Sequence, residues 1–192
     1  MSDAPKILAF AGSTRSASYN KMLVRVAAGG AEAAGASVTH IDLRDYPLPL
    51  YDFDFQQENG LPKEAVALKE LFLAHHGLLI AAPEYNGSLS AVLKNAIDWV
   101  SRRDDPKEPQ LICFKDKVAG VMTACQGAGG RNVQGHLRDI LSRIGTHVVA
   151  SRLTVTDAAE AFDNEGRLTN DHRRADAEAI GAKVAKMAAA MV

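Results

Sequence analysis

The chain has 192 residues, 47% of them hydrophobic and 23% charged, with a formal net charge of −1 and a pI of about 6.6. That length buries one full core and falls short of two ordinary domains, so residues 1–192 are expected to form one domain. The near-neutral charge excludes the basic field of a nucleic-acid binder and the acidic excess with which an electron carrier docks. Lys6–Ala11 reads as a first apolar strand, followed by a polar loop and a helix with Met22, Leu23, Val26, Ala27 and Ala34 at its apolar positions. Ser37–Asp42 reads as a second strand, and residues 43–62 as a long connection with three prolines and an aromatic-acidic patch, Tyr51-Asp52-Phe53-Asp54-Phe55. Leu68, Leu71 and Phe72 mark a helix before a third strand at residues 77–82; Leu93, Ile97 and Val100 mark the helix after it. Val118–Ala124 is a fourth strand, and the helix after it carries Val133, Leu137, Ile140, Leu141 and Ile144 on one side. A fifth strand is expected over residues 147–151, and Ile180, Val184, Met187 and Met191 stripe a closing helix.

Five strands alternating with five helices predict an α/β fold, a doubly wound parallel sheet in which each crossover helix covers a sheet face. The count of five favours the flavodoxin-like order 2-1-3-4-5, whose switch point lies between strands 1 and 3. The loops leaving those strands are residues 12–20 and 83–90, so the two most informative loops are expected to converge on one crevice.

The first loop, Gly12-Ser13-Thr14-Arg15-Ser16-Ala17-Ser18-Tyr19-Asn20, has the chemistry of a phosphate cradle. It runs into a helix N-terminus, where free N–H groups and the macrodipole favour an anion. Its hydroxyls can donate to phosphate oxygens, and Arg15 adds a charged fork. A single glycine rules out the Gly-x-Gly-x-x-Gly pattern, and no Gly-Lys-Ser/Thr ending follows, so a terminal phosphomonoester fits better than a dinucleotide or triphosphate. The competing explanation is a polar loop in which Ser18 or Asn20 caps the helix.

The second loop sits in Pro83-Glu84-Tyr85-Asn86-Gly87-Ser88-Leu89-Ser90-Ala91-Val92-Leu93-Lys94-Asn95-Ala96-Ile97-Asp98-Trp99, after the buried run Leu78-Leu79-Ile80-Ala81-Ala82. Turn chemistry accounts for Asn86-Gly87 but not for Glu84 and Tyr85 ahead of them. Backbone donors, Asn86 and an aromatic ring suit a flat, hydrogen-bonding ligand. This segment resembles the signature of the NAD(P)H-dependent FMN reductase family, which includes chromate, quinone and azo-dye reductases. The resemblance implies bound FMN, with NAD(P)H as co-substrate. It places Ser13, Arg15, Ser18 and Asn20 on the FMN phosphate, and Pro83, Glu84, Tyr85, Asn86, Gly87 and Ser88 along the ring. It also implies ping-pong electron transfer to a quinone, flavin, azo or metal-oxyanion acceptor, with no side-chain acid or nucleophile. The alternatives are a reductase that supplies free flavin to a monooxygenase, and a non-enzymatic electron carrier.

Two segments depart from the family pattern. Ser90-Ala91 stands where Pro-Gly or Pro-Ala is usual, which removes a fixed φ and offers Ser90 as an N-cap instead. In the third loop, Thr123-Ala124-Cys125-Gln126-Gly127-Ala128-Gly129-Gly130, Cys125 and Gln126 are atypical, while Gly127, Gly129 and Gly130 permit close backbone approach to a ring. Cys125 has no evident histidine partner and reads as a small buried thiol. His75-His76 reads as a helix end, and no metal site is expected.

The pattern Pro49-Leu50-Tyr51-Asp52 has counterparts in the family, and the 51–55 patch reads as a substrate lid or subunit contact. Trp99, taken as exposed, is expected to mark an interface of a homodimer or homotetramer. Cys113 and Cys125 make no Cys-x-x-Cys pair or disulfide framework, no apolar run reaches about 18 residues, and residues 1–6 lack the regions of a signal peptide. A cytoplasmic protein without a membrane span is therefore expected.

Overall fold

The computed structural model describes residues 4–127 and 129–191; the first three residues of the N-terminal reading and Ala128 of the third loop lie outside them. In chain order the elements are β1 (Lys6–Ala11), α1 (Tyr19–Ala33), β2 (Ser37–Asp42), a 3-10 turn (Leu43–Asp45), α2 (Phe53–Asn59), α3 (Lys63–Ala74) and β3 (Gly77–Ala81). A two-stranded hairpin follows, β4 (Glu84–Tyr85) with β5 (Ser88–Leu89), and then α4 (Ala91–Val100). The chain closes with β6 (Val118–Ala124), α5 (Arg131–Arg143), β7 (His147–Val148), β8 (Leu153–Val155), α6 (Ala158–Ala161) and α7 (Asp171–Ala189).

The main sheet is parallel, in the order β2-β1-β3-β6-β7, with β8 also paired to β6. This is the flavodoxin-like order 2-1-3-4-5. Central strands bury both faces, as covered parallel strands must. On one side Ile7, Ala9, Leu79, Ala81 and Met122 pack under α1 and α7; on the other Leu8, Phe10, Leu78, Ile80 and Val121 pack under α3, α4 and α5. The α1–α7 pair crosses backbone to backbone. A Cβ on Gly30 would overlap Glu178 O and one on Gly181 would overlap Ala27 O, so only glycine permits this approach.

Three expectations need correction. The fifth strand is broken: β6 advances from Val118 to Met122 while its neighbour advances from His147 to Leu153. The surplus residues leave the ladder, and Arg138 of α5 donates to Val149 O at 2.7 Å beside the break. Residues 43–62 are not all connection, since α2 forms where Asp52 Oδ1 caps the amides of Asp54 and Phe55 and Gly60 ends the helix at φ 73°. Trp99 is not exposed but completely buried within its own chain, with Nε1 donating to Pro49 O at 2.7 Å and the rings of Tyr51 and Phe55 edge-on to it. It therefore supplies no argument for an interface.

Asn95, one turn earlier on α4, completes this attachment. Its Oδ1 accepts from Tyr51 N–H at 2.8 Å and its Nδ2 donates to Pro49 O at 2.8 Å. The apolar-polar pattern of α4 thus does two things: Leu93, Ile97 and Val100 enter the core, while Asn95 and Trp99 fasten the 49–51 segment across the helix.

Candidate active site

The carboxyl ends of β1, β3 and β6 lie side by side, with Ala11 paired to Ala81 and Ala81 to Met122. The three loops identified in the sequence leave from this edge, the usual ligand position in an open α/β sheet. Direct hydrogen bonds join them. Ser90 hydroxyl donates to Gly12 O at 2.6 Å and its oxygen accepts the Leu93 amide at 3.4 Å, so one buried side chain caps α4 and ties the second loop to the first. That double role replaces the rigidity a proline would supply at this position.

The first loop approaches α1 through Ser18, whose backbone is extended and whose side chain makes no capping bond. The first helical hydrogen bonds come from Lys21 and Met22 to Ser18 O, at 2.9 and 3.2 Å. The amides of Tyr19 and Asn20 precede them and point along the helix axis toward an external acceptor. Ser13 and Ser18 are buried in the loop wall, and Arg15 lies exposed at its mouth. Asn20 serves differently from the expectation. Its Nδ2 donates to Ala124 O and its Oδ1 accepts the Ala124 amide, both at 2.9 Å, so the side chain bolts α1 to the end of β6. What remains of Asn20 for a phosphate is its backbone N–H.

The second loop is a tight hairpin. Asn86 and Gly87 take φ of 50° and 76° between the paired residues Tyr85 and Ser88, the geometry of a two-residue type I′ turn that Asn-Gly adopts with little strain. Tyr85 is 51% exposed at its tip. Glu84, expected along the ring, turns its carboxylate onto α5 instead: Oε2 accepts the amides of Gly130 and Val133 at 3.1 and 3.0 Å. A carboxylate at a helix N-terminus is stabilised by these donors and by the macrodipole. Ser88 Oγ and His136 Nδ1, 3.0 Å apart, form a second link between hairpin and α5. Pro83 is buried at the end of β3.

In the third loop Gly127 takes φ 69° with open space around it, and Gly130 takes φ 96° against Thr123, which admits no Cβ. Cys125 is half-buried, with Sγ 3.2 Å from Gly129 O and 3.5 Å from Gly127 O. Burial, and then the negative charges of Glu84 and Asp157, push its thiol pKa up, which keeps it protonated and a poor nucleophile.

Arg44, on the 3-10 turn after β2, carries no signal in the sequence and reaches the first loop from outside. Its Nη1 donates to Ser16 Oγ at 3.0 Å and its Nη2 to Thr14 O. Asp42 fixes its base, accepting the Arg44 amide at 3.0 Å while also pairing with Lys21 of α1. Burial opposes charge on Asp42, but the hydrogen bonds from Lys21 and the Arg44 amide and the two cations outweigh it, and its pKa falls below the usual carboxylate value.

A cavity of about 520 Å³ lies between α2 and residues 101–111, with none of the three loops lining it; there Tyr51 hydroxyl donates to Gln56 Oε1, and Arg102 donates to Asp98 O and Ser101 Oγ. The cross-tied loops, not this cavity, fit a phosphate and a flat ring. Donors at the start of α1 suit the dianion, and the hairpin with the glycine-bearing loop offers backbone edges to the ring.

Comparison with known proteins identifies the family. Residues 5–160 match the family model described as NADPH-dependent FMN reductase. The chain is 38% identical over 176 residues to an NAD(P)H-dependent FMN reductase of Pseudomonas aeruginosa, covering 91% of this chain and 90% of the relative. It is 37% identical over 142 residues to a quinone reductase of Escherichia coli, covering 73% and 71%. Among solved structures, a flavoenzyme NAD(P)H:acceptor oxidoreductase of Paracoccus denitrificans superposes with a TM-score of 0.76 at 24% identity, over 96% of this chain and 97% of that one. An archaeal flavodoxin superposes with a TM-score of 0.65 at 9% identity, over 95% and 98%, a likeness of fold alone. With the family model spanning most of its length and a relative at 38% identity, this chain belongs to the NADPH-dependent FMN reductase family and is an FMN-binding oxidoreductase with NAD(P)H as substrate.

Proposed function

We propose that the protein passes electrons from NAD(P)H to a quinone by a ping-pong mechanism, acting as one flavin-binding domain over residues 1–192. The observation that carries this reading is the set of three loops cross-tied at one sheet edge, through Ser90–Gly12, Glu84–Gly130 and Asn20–Ala124. FMN held by these loops would supply the hydride- and electron-transfer chemistry that the protein side chains lack. The phosphate is assigned to Ser13, Arg15, Ser18 and the amides of Tyr19 and Asn20. The ring is assigned to the backbone of Pro83, Glu84, Asn86, Gly87 and Ser88, with Tyr85 and Gly127 beside it.

Two groups that could serve as acid or base are otherwise engaged: Glu84 accepts two amides, and burial with neighbouring negative charge keeps the Cys125 thiol protonated. The residues orient the ring and exclude water from its covered side. A ring held by these loops with one side covered would leave nicotinamide and acceptor to take turns at the other. Relatives named as quinone oxidoreductases, at 34% identity in Oryza sativa and 32% in Arabidopsis thaliana, support a quinone acceptor. Initial-rate plots at several quinone concentrations should be parallel, with high quinone competing against NAD(P)H. Intersecting lines with no such competition would separate the two sites and overturn the shared face.

We also propose that the protein assembles as a homodimer or a dimer of dimers in the cytoplasm. Trp99 no longer supports this, but Leu50 and Phe53, 78% and 61% exposed, leave an apolar ridge beside α2 that self-association would cover. Among the described residues no helix is long and apolar enough to cross a membrane.

A further inference from the structure

We propose that Arg44 is a positioning residue for the FMN phosphate, holding the first loop in its receiving shape from outside the site. The inference rests on the assignment of the phosphate to that loop. Residues 14–17 are exposed and lie between β1 and α1, outside any regular element. Arg44 reaches two of them, donating through Nη2 to Thr14 O and through Nη1 to Ser16 Oγ at 3.0 Å.

The bond to Thr14 O sets the direction of the next amide. In a trans peptide the C=O and the following N–H point oppositely, so drawing Thr14 O toward Arg44 turns the Arg15 N–H the other way. It points at the buried Ser13, whose Oγ accepts it at 3.3 Å. That bond is long, and a phosphate oxygen is a stronger acceptor for the same N–H. The bond to Ser16 explains the division of labour among the three serines of the loop: Ser13 and Ser18 face the buried wall, whereas Ser16 faces Arg44. Arg44 is itself anchored to α1 through Asp42 and Lys21, so loop, helix start and the end of β2 form one framework. Guanidinium suits this position because its fork spans a carbonyl and a hydroxyl together, which an ammonium does not.

FMN and riboflavin differ only in the phosphate, so comparing their affinities isolates the effect. Fluorescence titration of the flavin-free protein with each should show Arg44→Ala weakening FMN by about 3- to 10-fold, the range for losing exposed bonds that order a loop. Riboflavin affinity should not change. Ser16→Ala, which removes one receiving group and leaves Arg44 in place, should weaken FMN less and in the same selective way. Arg44→Lys should recover part of the loss. Unchanged FMN affinity in Arg44→Ala, equal losses for both ligands, or full recovery by lysine would each overturn the inference, the last by reducing Arg44 to a simple charge. Arg15→Ala is the control: if it leaves the FMN–riboflavin difference intact, the phosphate assignment fails; if it narrows the difference while Arg44→Ala leaves it unchanged, the role of Arg44 alone fails.

Discussion

Replacing Glu84 with alanine separates two roles that the sequence leaves merged. In the structure its carboxylate touches α5, accepting the amides of Gly130 and Val133 at 3.1 and 3.0 Å. Removing a carboxylate cap of this kind costs about 0.5–2 kcal/mol in typical helices, and two charge-assisted bonds at a half-buried site place the loss near the upper half, about 1–2 kcal/mol. For a chain of this length each kcal/mol lowers Tm by about 2–4 °C, so flavin-free Glu84→Ala should melt about 2–8 °C below the parent. Glu84→Gln keeps an acceptor but loses the charge and should fall between them. Because Glu84 joins the second loop to the third, FMN affinity should weaken in step with stability. Differential scanning calorimetry of the flavin-free proteins and fluorescence titration with FMN measure both. Weakened FMN binding with no loss of flavin-free stability would mean that Glu84 acts by touching the ring, and would refute the latch.

Arg15→Ala should raise the dissociation constant for FMN by about one to two decades, the loss of a charged hydrogen bond to phosphate, measured by the same titration. Trp99→Ala, removing a fully buried ring and its bond to Pro49 O, should destabilise the protein by about 3–5 kcal/mol in urea unfolding, and little loss would contradict the role of Trp99 as an internal anchor. His75, with Nδ1 2.6 Å from Leu71 O and Nε2 2.8 Å from Thr39 Oγ1, has its pKa lowered by burial first, then by the charges of Lys117 and Lys6. A histidine depressed in the fold contributes stability that is full above its ordinary value of 6.5 and is lost as pH falls through the folded value. Tm should therefore decline as the pH falls below 6.5 toward the folded value, and less so in His75→Gln. Light scattering at micromolar concentration should return a multiple of the 20.5 kDa chain mass, and the chain mass itself would reject the proposed assembly.

The fold was legible because its strands are short apolar runs and most of its helices carry a stripe. The exceptions follow from what a local pattern cannot hold. α2 buries none of its residues, so it has no stripe, although Asp52 and Gly60 at its ends were a readable start and stop. The break between β7 and β8 depends on neighbours far along the chain, β6 and Arg138. Trp99 looked exposed because the groups that cover it, Pro49, Tyr51 and Phe55, come from the connection read as a loop. In the candidate site, the three loops and the Asn86-Gly87 turn were legible from residue types, and Ser90 was recognised as a cap. The partners of individual side chains were not. Glu84 and Asn20 hold other loops through bonds spanning 46 and 104 residues, and Arg44 reaches the first loop across 28 and 30. No local spacing encodes such distances.

The central claim is that nicotinamide and acceptor use the bound flavin in turn, and separating the half-reactions tests it most directly. FMN-loaded protein mixed anaerobically with NADPH or NADH alone should lose its visible flavin absorbance in a single turnover, with oxidised nicotinamide released before any acceptor is added. Quinone added afterwards should restore the absorbance with no nicotinamide present. Bleaching that requires quinone and nicotinamide together would contradict the account.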